Sequence, residues 1–133
     1  MLKSKSILAE KSPDDGLRVS IMSRHTLNDG ITQDERLTPD RFDEHMPEFA
    51  APGWAVGGYY RGELSRNEYV NHYRAHVETQ REKVRALIIE ALTKDITVMC
   101  IEDSPELCHR KIFIEYCQEL ADVLSLPLQT KIE

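Results

Sequence analysis

The sequence ITVMCI at residues 96–101 decides the fold. Such an apolar run is too short for a helix and is typical of a strand buried on both faces of a parallel sheet. The chain then turns through residues 102–105, where Ser104 suits a helix N-cap and Pro105 suits the first helical position. A helix is predicted over residues 105–124. The reactive side chains of this stretch therefore gather at one strand-to-helix corner, the edge at which open α/β sheets bind ligands.

Length, composition and charge indicate one globular domain. The chain has 133 residues, of which 41% are hydrophobic and 30% charged, and a net charge of −6. An acidic chain does not favour binding to nucleic acid, which needs a basic face. No apolar run approaches the roughly 18 residues of a membrane helix, and no secretory signal is apparent. We therefore expect a single domain over residues 1–133, located in the cytoplasm, with its three cysteines as reduced thiols.

Three further segments are predicted to be strands. Residues 17–24 alternate in polarity and predict a strand that ends at Arg24. If this strand is parallel to 96–101, Arg24 lies on the same edge of the sheet as the corner. Residues 128–132 also alternate and predict the last strand, and the short apolar segment 7–9 predicts the first.

One long helix is predicted over residues 66–93, with Ser65 and Glu68 as its capping box. Alternating strands and helices predict a mostly parallel sheet with right-handed crossovers. The expected fold class is therefore a single-domain, Rossmann-like α/β fold of three layers, in which helices flank the sheet.

The segment 25–63 is predicted to be a long ordered loop with a short helix near 39–45. Gly57 and Gly58, flanked by aromatic residues, would let the backbone approach a ligand closely. Long loops of this kind are often functional. A surface loop held in place by Trp54 is the alternative interpretation.

Side-chain directions select the members of a cluster at the corner. Cys100 and Glu102 share one face of the strand. At about 100° per residue, helix geometry turns His109 and Arg110 toward the sheet and Cys108 away from it. The cluster is therefore expected to combine a thiol, a carboxylate, an imidazole and a guanidinium group.

Several roles fit these residues. Cys100 is a candidate nucleophile and His109 its base, because the thiolate is the reactive species and a nearby imidazole favours it. Glu102 would take part in proton transfer, and Arg24 and Arg110 would hold an anion. The same side chains could instead form a structural ion-pair network between strand and helix, since such networks imitate active sites.

A zinc site built from Cys100, Cys108 and His109 is less favoured, because the spacing differs from the close cysteine pairs of zinc modules. No metal and no cofactor are predicted.

A ligand site and a structural ion-pair network predict different losses of stability on mutation. In a ligand site, alanine at position 109 or 110 should cost less than about 1.5 kcal/mol. Breaking a buried ion pair by removing Arg110 should cost roughly 3–5 kcal/mol.

Cys-Ile-Glu at 100–102, followed by Cys-His-Arg at 108–110, resembles the signature of domain-of-unknown-function family 488. Residues 15–24, and the stretch 54–73 with its paired glycines, are similar to other parts of that family. Where the family usually has an aspartate before the early arginine, this chain has Ser23. The resemblance implies a small cytosolic α/β domain and supplies no established reaction.

The function expected from the sequence is that of a small enzyme acting on an anionic molecule that carries phosphate or carboxylate, nucleotides included. Whether catalysis takes place stays open. The alternatives are a non-catalytic module that binds anions or nucleotides and, less favoured, a zinc-binding structural domain. A small anionic ligand is the expected partner, and the sequence does not indicate an oligomeric state.

Overall fold

A computed structural model describes residues 1–27, 29–101 and 109–133. Within these ranges one sheet of five parallel strands has the order β3-β2-β4-β1-β5. The strands are β1 (Leu2–Ser6), β2 (Leu17–Ser20), β3 (Glu44–His45), β4 (Ile96–Cys100) and β5 (Thr130–Ile132). The α-helices of the same ranges are α1 (Gly53–Tyr60), α2 (Arg66–Glu78), α3 (Arg81–Ala91) and α4 (His109–Val123). The predicted α/β class with a parallel sheet is confirmed.

The two faces of the sheet are covered differently. Strand residues such as Val19 and Val98 belong to the main hydrophobic core, which contains side chains from all four α-helices. The opposite face carries a smaller cluster of Ile7, Leu37 and Met99, to which none of the four helices named above contributes within the described ranges. The helical layer therefore lies on one face, and irregular chain with short 3-10 helices covers the other. None of the helices so described is long and apolar enough to cross a membrane.

The first strand was predicted at residues 7–9, and this prediction is wrong. The strand is β1, with the sequence LKSKS, and it lies between β4 and β5. The polar composition of β1 does not predict a central strand. The strand can nevertheless lie inside the sheet, because its lysines are largely covered by the protein. Lys5 Nζ lies 3.0 Å from a carboxylate oxygen of Asp15, which also forms a buried ion pair with Arg18. The carboxylate of Asp15, in the short 3-10 helix after β1, thus neutralises the charge of Lys5 in this central strand.

The parallel pairing of β2 with β4 is confirmed, with Leu17 opposite Ile96. β2 ends at Ser20 rather than at residue 24, although the N–H of Ile21 still donates to the carbonyl of Met99 at 3.0 Å. The strand stops there because β4, its neighbour, also ends at Cys100. β5 begins at Thr130, two residues later than predicted.

The predicted helix over residues 66–93 is two helices. Its capping box is present, since the Ser65 N–H donates to Glu68 at 3.0 Å and the Glu68 N–H donates to Ser65 at 3.1 Å. The break falls between α2 and α3, where the Thr79 hydroxyl donates to the His76 carbonyl at 2.6 Å. Such side-chain bonds compete with the helical pattern, and no proline or glycine marks the position in the sequence.

The segment 25–63 is not one long loop, so that prediction is wrong. It contains β3, 3-10 helices at Pro39–Arg41 and Pro47–Phe49, and the helix α1. Gly57 and Gly58 lie inside α1. A Cβ atom at Gly58 would stand 3.1 Å from Leu64 Cδ1, so this glycine permits close packing of the helix on the following turn.

Candidate functional site

A cleft opens at the carboxyl edge of the sheet, where β2 and β4 end. Its volume is about 150 Å³, and we refer to it as the inner cleft. Met22 and Ser23 line it from the end of β2, and Cys100 and Ile101 line it from the end of β4. His109, the first described residue of α4, completes this side. The cleft lies where ligands bind in open α/β sheets.

Cys100 and His109 face each other in the inner cleft. Cys100 Sγ lies 3.9 Å from His109 Nδ1, and His109 Nε2 lies 2.8 Å from the carbonyl oxygen of Ile21. A carbonyl only accepts hydrogen bonds, so Nε2 carries the proton of the neutral ring. The lone pair of Nδ1 is consequently directed toward the sulfur. The edge-on ring of Tyr73, 5.2 Å away between centroids, packs against the imidazole.

Cys100 is disulfide-bonded, so the expectation of three reduced thiols is wrong for this residue. Its position at the end of a buried strand leaves it only 3% exposed. Cys117, in contrast, is a free thiol within the core, and burial raises its pKa. Cys117 is therefore an unreactive structural residue. Glu102 and Cys108, predicted for this corner, lie outside the described residues.

Arg24 and Arg110 lie in different surroundings. Arg110 is fully buried and does not line the inner cleft. Arg24 is exposed and lines a second, wider cavity of about 700 Å³, which we call the vestibule. The paired glycines of α1 line neither cavity, although their neighbours Val56 and Tyr60 line both. Of the predicted residues, the structure therefore brings Cys100 and His109 together and places Arg24 in the adjoining space.

The comparison with protein families identifies the family of this chain. The family model described as the active DUF488-N3 subclade matches residues 2–121. The chain belongs to domain-of-unknown-function family 488 (DUF488). No curated protein and no solved structure matches it.

The inner cleft of this DUF488 domain has a wall that the sequence did not reveal. Tyr59 and Tyr60 come from α1, and Arg66 and Tyr69 come from α2. Arg66 is the first residue of α2, so the capping box at Ser65 was the one signal that could have placed it. Tyr59 and Tyr60 could not have been assigned, because their segment was predicted to be a loop. Tyr69 lies in the predicted helix, but the sequence did not indicate that it faces a cleft.

Metal binding by the DUF488 domain stays untested. Within residues 1–27, 29–101 and 109–133 no group of three or more histidine, cysteine or acidic side chains could hold a metal ion. The zinc site considered from the sequence includes Cys108, which lies beyond these ranges. His72 and His76 have other contacts: His72 packs edge-on against Trp54, and His76 Nε2 lies 2.9 Å from the Glu48 carbonyl.

Burial makes His109 a neutral residue at pH 7. It lowers the pKa of the imidazole to about 4, against the opposing hydrogen bond to Ile21 and with a further lowering by the positive charge of Arg110. The unfolded chain takes up a proton near pH 6.5, whereas the folded chain does so only near pH 4. The contribution of His109 to the free energy of unfolding is therefore fully present above pH 6.5 and is lost as the pH falls from 6.5 toward 4.

We expect this linkage in a comparison of the parent protein with His109→Gln. Between pH 7 and pH 5 the parent should lose about 2 kcal/mol more free energy of unfolding than the variant. The loss accumulates from pH 6.5, the pKa of the unfolded histidine, down to pH 5, at about 1.4 kcal/mol per pH unit. Urea unfolding at both pH values, without reductant, measures the difference. His25 and the carboxylates are the same in both proteins, so their contributions to the pH dependence of stability cancel in the comparison. Equal pH dependence of the two proteins would show that His109 has the same pKa in the folded and the unfolded chain.

Proposed function

We propose that this DUF488 domain is an enzyme that acts on a small anionic molecule, with Cys100 as nucleophile and His109 as its base. The observation that carries the proposal is the pairing of Cys100 Sγ with the lone pair of His109 Nδ1 inside a cleft. The bond from Nε2 to the Ile21 carbonyl fixes the tautomer needed for this role. A nucleophile, a base within reach and a group that orients the base form the arrangement that covalent catalysis requires.

The proposed reaction transfers a group from the substrate to sulfur and then to water. As the sulfur of reduced Cys100 bonds to a carbon of the substrate, the thiol proton passes to His109 Nδ1 and the leaving group departs. The low pKa of His109 makes the resulting imidazolium a strong acid, so it returns the proton to the leaving group. Water then releases the group from the sulfur and restores the thiol.

The disulfide-bonded form of Cys100 has no thiol and is expected to be inactive. A reductant such as dithiothreitol would supply two electrons and two protons and convert the bond to thiols. A cytoplasmic location, where cellular thiols keep cysteines reduced, is part of this proposal.

The test is the alkylation of Cys100 by iodoacetamide in the reduced protein at pH 7.5, located by peptide mass spectrometry. We expect His109→Ala to lower the second-order rate at least tenfold, because the buried thiol of Cys100 loses the group that accepts its proton. His72→Ala, which changes a histidine outside the cleft, should leave the rate unchanged. An equal rate in His109→Ala and the parent would rule out the proposed pairing.

A non-catalytic anion-binding module is the second candidate function. It is favoured by the disulfide bond of Cys100, because a binding site does not need a free thiol. In that case the alkylation rate would not depend on His109, whereas Arg24 and Arg66 would still bind an anion.

A further inference from the structure

The inner cleft and the vestibule lie side by side. They share five lining residues, which are Met22, Ser23, Val56, Tyr60 and Ile101. Pockets for small organic ligands usually measure about 300–1,000 Å³. The inner cleft, at about 150 Å³, is too small for such a ligand, whereas the vestibule at about 700 Å³ is not. A ligand that reaches Cys100 must therefore extend outward into the vestibule.

Positive charge lies at the outer parts of this space. Arg66 lines the inner cleft as an exposed residue and so stands at its mouth, and Arg24 lines the vestibule. Arg66 forms no ion pair with another described residue. Arg24 lies close enough to Asp29, which also lines the vestibule, for its charge to help lower the pKa of that carboxylate. Arg36 also lines the vestibule, but Asp34 binds it at 2.8 Å. At the rim an anion would therefore meet Arg66 directly and would compete with Asp29 for Arg24.

The deep end of the space is uncharged and aromatic among the residues that the structure describes. Tyr59 lies 5.8 Å from Tyr60 and 5.1 Å from Tyr69 between ring centroids, so the three rings form a wall that runs from buried Tyr69 out to exposed Tyr60. His109 is neutral at pH 7. An anionic group at this depth would lose its hydration without a described cation to replace it, which is unfavourable. A flat, uncharged ring can stack there instead.

We propose that the ligand is a nucleoside monophosphate, which places its uncharged nucleoside end in the inner cleft beside Cys100 and its phosphate at the rim between Arg66 and Arg24. The inference rests on the proposed function and names its substrate class. It also places the reacting bond in the nucleoside part rather than at phosphorus. Arginine is well suited to the phosphate, because its planar donors match phosphate oxygens in pairs.

Calorimetric titration of the reduced protein tests the ligand class, with AMP and UMP, their nucleosides and inorganic phosphate as probes. We expect AMP or UMP to bind at least tenfold more tightly than its own nucleoside and than phosphate. Arg24→Gln and Arg66→Gln should each weaken nucleotide binding at least fivefold and leave nucleoside binding unchanged. Arg85→Gln is the matched control, since Arg85 is an exposed arginine on α3 that lines neither cavity.

Protection of Cys100 tests the orientation. A bound nucleotide should slow iodoacetamide alkylation at least fivefold at saturation, whereas phosphate should not. Phosphate that binds as tightly as the nucleotides, the absence of nucleotide binding at 5 mM, or equal weakening by Arg85→Gln would overturn the proposal. So would a nucleotide that binds without protecting Cys100. If alkylation still depends on His109 in these cases, the substrate class is wrong and the Cys100–His109 pair stands.

Discussion

Gly16→Ala is expected to lower the free energy of unfolding by about 3 kcal/mol or more, because strain and overlap add. Gly16 has a φ of 63°, and a Cβ atom there would stand 2.1 Å from the carbonyl oxygen of Asp95. The backbone cannot move aside freely, since the N–H of Leu17 donates to that same oxygen at 3.0 Å. The residue lies at the start of β2, where the strand joins β4.

Two other glycines distinguish the effect of backbone strain from the effect of steric overlap. Gly62 has a φ of 76° with nothing within 4 Å of an added Cβ, so Gly62→Ala should show only the conformational strain, about 1–2 kcal/mol. Gly53 has neither constraint and lies in α1, so Gly53→Ala should not destabilise. Urea unfolding of the three variants measures these differences. Equal losses for Gly16→Ala and Gly62→Ala would show that contact with Asp95 is not the reason.

Arg110→Ala is expected to cost about 3–5 kcal/mol in the same measurement at pH 7. Arg110 is completely buried at the start of α4. A buried guanidinium group is retained only where its surroundings compensate the charge. Its removal therefore leaves those groups uncompensated and opens a cavity. Arg85→Ala, at an exposed position, should change stability by less than about 0.5 kcal/mol.

This expectation differs from the smaller loss that a ligand-site role would give. The sequence treated His109 and Arg110 alike, because helix geometry turns both toward the sheet. The structure separates them, since His109 lines the inner cleft and Arg110 does not. A loss below about 1.5 kcal/mol for Arg110→Ala would return Arg110 to the candidate ligand site.

Apolar periodicity predicted the elements whose buried faces carry large side chains. β2, β4 and the start of α2 follow from alternation, from an uninterrupted apolar run and from a capping box. β1 could not be found in this way, because only Leu2 and Ser4 are buried in it and Ser4 is small and polar. The helix α1 was missed for a different reason, since Gly57 and Gly58 oppose helix formation in isolation. The close packing of Gly58 against Leu64 is visible only in the structure.

The candidate site was predicted in part. The pairing of Cys100 with His109 follows from strand and helix geometry, which fixes directions over a few residues. The tyrosine wall and Arg66 depend on where α1 and α2 pack, and tertiary packing of this kind is not contained in local patterns. The disulfide bond of Cys100 depends equally on three-dimensional proximity rather than on spacing along the chain.

The central position of β1 has a consequence for folding kinetics. β1 comes first along the chain, yet it pairs only with β4 and β5, the last two strands. Pairing between such distant segments must overcome a large loop-closure entropy, which slows folding relative to helical domains of similar size. Until β1 is inserted, β4 presents an unpaired edge of high β-propensity, at which another chain can add. A partly folded form in which β1 is not yet inserted is therefore more exposed to aggregation than the native sheet.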